Sequence, residues 1–111
     1  MKRQFLKTGD GSITLHLPDW GEQYHSKHGA IAEARHVFVK SGLRHYLEHN
    51  AVDTLSLLEI GFGTGLNALL TVQQFENRSQ SCQYVALEAY PLALDEISQL
   101  NYCEELQIDK E

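Results

Sequence analysis

Cysteine, lysine and long apolar runs are scarce in this chain of 111 residues, and each scarcity removes a class of function. The two cysteines, Cys82 and Cys103, lie too far apart in sequence for a paired metal or redox motif, and one bridge is not the disulfide framework of a small secreted domain. The apolar stretches fall far short of the roughly 20 residues that span a bilayer. The start, Met1-Lys2-Arg3-Gln4-Phe5-Leu6-Lys7, has no signal-peptide apolar region. A cytoplasmic protein with no membrane partner is therefore the expectation. No lysine falls between Lys40 and Lys110, so a triphosphate-binding loop has no lysine to neutralise phosphate charge. No repeat, low-complexity tract or linker interrupts the chain.

What remains, 42% apolar and 22% charged residues, is the composition of one soluble globular domain, large enough to bury about two-thirds of its unfolded surface. Its net charge of −6 is uneven. Residues 1–50 carry seven Lys or Arg against five Asp or Glu, and residues 51–111 carry two against ten. Neither half is a basic nucleic-acid footprint by itself; phosphates would meet Lys2, Arg3, Lys7, Lys27, Arg35, Lys40 and Arg44.

Phe5 to Thr8 and Ser12 to Leu17 alternate like strands around Gly9-Asp10-Gly11, which predicts an N-terminal hairpin ended by Pro18-Asp19-Trp20-Gly21. From Ala30 the period is helical, with Ala30, Ala34, Val37 and Phe38 on one face; Gly42 interrupts it, and Leu43, Tyr46 and Leu47 form a second short stripe. Thr54 to Ile60 is the pattern of a buried strand. Leu66, Leu69 and Leu70, extended by Ala68, Val72 and Phe75, predict a helix, and Gln83 to Glu88 a second strand. Pro91 suits the first position of another helix, with Asp95 and Glu96 in its early turns and Ala93, Ile97 and Leu100 facing inward. Strand, helix, strand, helix predicts a parallel pair and an α/β fold. Residues 1–50 form the hairpin and helices, and residues 51–111 the β-α-β-α unit.

Between the first of these strands and its helix lies Glu59-Ile60-Gly61-Phe62-Gly63-Thr64-Gly65-Leu66-Asn67. Three alternate glycines exceed what a strand-to-helix turn requires, and they let a ligand approach the backbone at the carboxyl end of the sheet. Leu66 stands where a dinucleotide fingerprint has glycine or alanine, and with no phosphate-loop lysine the ligand is expected to be a nucleoside without phosphate. The arrangement looks like the first motif of Rossmann-like methyltransferases, whose ligand is S-adenosylmethionine. Glu88, 27 residues after Gly61, ends the second strand where a carboxylate accepts hydrogen bonds from ribose hydroxyls. Glu59 ends an apolar run and should face the crevice and meet a cation or backbone donors. Phe62 and Tyr90 are candidates for contact with adenine or the amino-acid portion. The cofactor-binding set is thus Glu59, Gly61, Phe62, Gly63, Thr64, Gly65, Asn67, Glu88 and Ala89. A bulky residue at Gly63 should abolish binding. Histidines are confined to the first half, and the pairs His25/His28 and His45/His49 offer metal-ligand spacing without a completing set, so no metal is expected.

A narrower resemblance runs in order through most of the chain. Asp10-Gly11-Ser12, Glu22 to Ala30, Glu33 with His36-Val37-Phe38-Val39, Leu58 to Asn67 and Leu87 to Leu92 are similar to the methyltransferase family that completes 5-methylaminomethyl-2-thiouridine in tRNA. The resemblance implies methylation of the aminomethyl nitrogen of a wobble uridine with S-adenosylmethionine, and tRNA as partner. It also implies a domain that occurs alone or fused ahead of an FAD-dependent oxidoreductase. The family's domain is about twice this length, and its Asp-Ala-Phe-x-Pro element has no counterpart here. The expectation is an N-terminal fragment with its catalytic carboxylate in the absent half and little activity alone. Tyr24 and His25, on the loop before the first helix, are the candidates for the substrate pocket. Alternatives are a non-catalytic cofactor-binding module and a nicotinamide-dependent oxidoreductase fragment.

Overall fold

The computed structural model describes residues 2–107; residues 108–111, expected near the end of the last helical region, lie outside the described part. Two compact units result, one of residues 1–33 and 92–111, the other of residues 34–91.

In the first unit, β1 (Gln4–Lys7) and β2 (Ile13–Leu17) pair antiparallel with Lys7 opposite Ile13, as the alternation predicts. Inward alternation puts Leu15 and Leu17 in the core with Ala30, Ile31, Tyr102 and Leu106. A short third strand, β3 (Glu22–Gln23), joins β2 after the turn at Pro18–Gly21. Two polar residues carry no periodic signal that would predict this strand.

The hairpin loop caps the helix that begins 18 residues after Ser12. Thr8 Oγ1 accepts the N–H of Ala30, Ser12 Oγ that of Ile31, and Asp10 Oδ2 that of Ala32, at 3.0, 3.1 and 2.8 Å. Three of the helix's unsatisfied donors are thereby met from a distant segment. Asp10 Oδ1 also accepts from the Ser12 amide and from the hydroxyls of Thr8 and Ser12. Partial burial pushes the Asp10 carboxyl up, but the bonds from Ser12, Ala32 and Thr8 outweigh it and hold it below the ordinary aspartate value. A carboxyl depressed on folding adds stability above its unfolded pKa and loses it as pH falls, so this contribution fades below about pH 4. Asp10→Ala is expected to cost about 1 kcal/mol at pH 7 and to flatten the acid limb of the stability profile, as read by thermal melts from pH 7 to 3.

α1 (Ala30–Ala34) continues into a segment with i→i+5 hydrogen bonding (Arg35–Arg44) and then α2 (His45–His49). The helix does not break at Gly42; it widens. Wider turns rotate the apolar face, so Val39, Leu43 and Leu47 are buried while the expected Val37 and Tyr46 are exposed.

In the second unit, β4 (Thr54–Ile60) and β5 (Ser81–Leu87) pair parallel, with Glu59 opposite Ala86 and Ile60 opposite Leu87, and α3 (Leu66–Phe75) connects them. This is the expected α/β unit. Leu43, Leu47 and Leu55 form its core with Phe38, Val52, Leu57, Phe75 and Cys82 against them. β4 is not fully buried as its apolar run suggests: Leu58, Ile60, Val85 and Leu87 share one sheet face and are 57–73% exposed. α3 buries Leu66, Leu70 and Thr71, and Val72 is exposed.

The last helical region, in the first unit, is two short helices, α4 (Leu94–Ser98) and α5 (Tyr102–Leu106). Pro91 lies outside α4. Glu96 Oε1 accepts the Ala93 N–H at 3.0 Å and thereby sets the helix start. Ala93 and Ile97 are exposed, not inward, because Tyr102 and Leu106 of α5 fill the core. Asn101 fastens this region to the hairpin by accepting from Ile13 N–H and donating to Gly11 O at 2.8 and 2.9 Å.

Candidate functional site

Gly61, Gly63 and Gly65 all have positive φ, at 85°, 59° and 80°, so the turn between β4 and α3 depends on glycine for its backbone path. Gly61 and Phe62 both donate to the carbonyl of Leu87, at 2.8 and 3.3 Å, which ties the turn to the end of β5. Around an added Cβ at Gly61 there is no atom within 4 Å other than those of its two chain neighbours. At Gly65 it would lie 2.9 Å from the Phe62 ring. Phe62 therefore folds back over the start of α3, leaving open space beside Gly61.

Glu88 follows β5 directly and turns toward the glycines. Its Oε1 accepts the Gly63 N–H at 2.6 Å and its Oε2 the Tyr90 N–H at 3.1 Å. A carboxylate oxygen has two lone pairs, so each keeps one acceptor position beside the turn. Ala89, next in the chain, is exposed.

Among the described residues the partners of Glu59 are two neutral side chains rather than backbone donors. Asn67 Nδ2 donates to Oε2 at 2.9 Å and Tyr84 Oη to Oε1 at 2.7 Å. Glu59, Tyr84 and α3 lie on one side of the sheet, so side chains reach the carboxylate before any main-chain N–H does. Burial first, and then the bond to Glu59, raise the Tyr84 phenol far above its ordinary value and keep it a donor at all ordinary pH. The sequence reading missed Tyr84; its place on β5 at an even spacing from Cys82 and Ala86, on the face away from the exposed Val85 and Leu87, was the available signal, since same-face residues recur every two. Asn67 and Glu59 come together as one cluster, Gly63 and Glu88 as another.

Tyr24 and His25 belong to the first unit and find partners there. Arg3 Nε donates to Tyr24 Oη at 3.2 Å, and the same guanidinium pairs with Glu96 at 2.8 Å. His25 Nδ1 shares a 2.7 Å hydrogen bond with Thr14 Oγ1, and its ring meets Tyr102 edge-on. Burial lowers the His25 pKa against the opposing pull of Glu33, which favours a neutral ring. The His45 and His49 rings lie 4.2 Å apart, but among the described residues no group of three or more His, Cys, Asp or Glu side chains is placed to hold a metal. No helix among the described residues is long and apolar enough to cross a membrane.

No family model matches the chain. Its sequence is 35% identical over 92 residues to the tRNA 5-methylaminomethyl-2-thiouridine biosynthesis bifunctional protein MnmC of Burkholderia thailandensis, covering 79% of this chain and 14% of that one. It is 36% identical over 88 residues to the protein of the same name from Burkholderia multivorans, covering 76% and 13%. The fold is similar to the crystal structure of MNMC2 from Aquifex aeolicus, with a TM-score of 0.69 and 23% identity, over 83% of this chain and 31% of that one. The chain spans about one-seventh of the length of the Burkholderia relatives. Over the residues matched, the chain is a homologue of part of the tRNA 5-methylaminomethyl-2-thiouridine biosynthesis bifunctional proteins.

Proposed function

We propose that the chain carries the S-adenosylmethionine-binding part of a Rossmann-like methyltransferase that acts on the aminomethyl group of a modified wobble uridine in tRNA. The observation that supports this most is the open space at Gly61 in a turn whose Gly63 N–H is held by the Glu88 carboxylate, with a second carboxylate, Glu59, two residues before Gly61 in the chain. Two carboxylates and no lysine form a poor site for a phosphate and a good one for a cationic nucleoside.

Bound there, S-adenosylmethionine supplies a methyl group on a sulfonium. The glycine turn of Gly61, Gly63 and Gly65 gives the nucleoside a close approach to the backbone, with Thr64 and Phe62 on the same turn and Ala89 beyond Glu88. Glu88 takes the ribose hydroxyls on its remaining lone pairs, and Glu59, aimed by Asn67, faces the positive end. Orientation and exclusion of water are what such a site contributes to an in-line displacement. The acceptor nitrogen must be neutral to attack, so a base is required; the resemblance implies the aspartate of the family's Asp-Ala-Phe-x-Pro element for that role. Tyr24 and His25 are proposed for the substrate side, and the basic residues of the first half, Lys2 to Arg44, for the tRNA phosphates. A cytoplasmic location and an FAD-dependent oxidoreductase partner accompany this reading.

Equilibrium dialysis of the 111-residue chain against labelled S-adenosylmethionine and against NAD tests it. Saturable retention of the first and none of the second is expected, with little or no methyl transfer to tRNA bearing 5-aminomethyl-2-thiouridine. Retention of NAD alone would favour the oxidoreductase alternative and end this one.

A further inference from the structure

Glu59 is held in an unusual way for a charged group. It is half-buried, each carboxylate oxygen accepts one bond from a neutral side chain, and no lysine, arginine or histidine among the described residues pairs with it. Its two donors come from different elements, Tyr84 from β5 and Asn67 from the first turn of α3. A carboxylate bound from both sides has lost rotation about its terminal torsion while keeping its full charge. Such a group is costly to the fold unless a cation completes it, and it is pre-aimed for one that arrives.

We propose that Tyr84 and Asn67 are positioning residues that aim Glu59 at the ammonium of the ligand's amino-acid end, so that the pair sets selectivity for nucleosides carrying that group. The proposal rests on the glycine turn accepting S-adenosylmethionine. The raised pKa of the Tyr84 phenol agrees with it, because the donor persists as pH rises. Removing the Tyr84 hydroxyl frees Oε1, and the carboxylate turns toward water. Contacts to adenine and ribose, made by the turn and Glu88, are untouched.

S-adenosylhomocysteine and 5′-methylthioadenosine separate these contributions. Both are thioethers of adenosine, and the first alone carries the amino-acid end. Dissociation constants for both, and for S-adenosylmethionine, are to be measured with the unaltered chain, Tyr84→Phe and Asn67→Ala. Each variant is expected to weaken S-adenosylhomocysteine about five- to tenfold, the net effect of one ordinary hydrogen bond, with 5′-methylthioadenosine unchanged. S-adenosylmethionine should weaken in parallel with S-adenosylhomocysteine; a loss confined to S-adenosylmethionine assigns Glu59 to the sulfonium and overturns the proposal. Equal weakening of S-adenosylhomocysteine and 5′-methylthioadenosine makes the two residues merely structural, and no weakening of either denies them any role. An unaltered chain that prefers 5′-methylthioadenosine overturns the proposal without any variant. Should it bind none of the three, the proposed function itself falls.

Discussion

Gly61→Leu is expected to weaken S-adenosylmethionine binding by about 100-fold, the equivalent of roughly 3 kcal/mol of steric overlap, while leaving the fold largely intact. Gly61 has φ 85° and open space around the position of a Cβ, so the Cβ of a leucine meets no atom beyond its chain neighbours and the rest of the side chain extends into the proposed cradle. Its cost to folding is the left-handed backbone alone, about 1–2 kcal/mol. Gly21 supplies the matching control. It too has positive φ, 64°, with no atom beyond its chain neighbours within 4 Å of an added Cβ, and it lies in the exposed turn before β3. Gly21→Leu should cause a similar loss of stability and no loss of affinity. If both variants weaken binding equally, backbone strain explains the effect and the cradle at Gly61 is not the site.

A second glycine contrast carries the largest effect on stability. At Gly9 an added Cβ would lie 2.4 Å from the carbonyl oxygen of His28 and 3.1 Å from its carbon, both backbone atoms that cannot swing aside. The Gly9 N–H also donates to Lys27 O at 2.9 Å, so a shift that relieved the clash would break this tie and disturb the cap that Thr8, Asp10 and Ser12 provide. Gly9→Ala is expected to cost about 3 kcal/mol, a large share of a small domain's stability. Gly42→Ala is expected to do the reverse. It sits inside the helical segment, where an added Cβ makes only an ordinary 3.6 Å contact with Val37 O, so alanine should gain about 0.5–1 kcal/mol. Chemical denaturation of the two variants reads the opposite signs; a shared sign contradicts the packing described for one of them.

The parts of this architecture that were legible in sequence are those with a local cause. The hairpin registers on the alternation of Phe5 to Leu17 around two glycines, β4 and β5 follow their apolar runs, and the three-glycine turn falls where strand period gives way to helix period. Features set by non-local contacts were not legible. The identity of the donors to Glu59 depends on Tyr84, 25 residues away on the neighbouring strand. Val39 replaced Val37 in the core because the helix from Arg35 to Arg44 is wound wider than the 3.6-residue period assumes. Pro91 promised a helix start, but Glu96 bonding back to Ala93 placed it at Leu94. Exposure of Leu58, Ile60, Val85 and Leu87 was likewise invisible, since an apolar strand residue reads the same whether or not anything lies over its face.

Backbone amide shifts of Gly61, Phe62, Gly63 and Gly65, followed by NMR as S-adenosylmethionine is added to the 111-residue chain, test the central claim most directly. Saturable changes concentrated at these amides, at Glu59 and at Glu88 to Tyr90, with none when NAD is added instead, are the predicted result. Glycine-turn amides that stay fixed while S-adenosylmethionine binds elsewhere, or that respond equally to NAD, would contradict it.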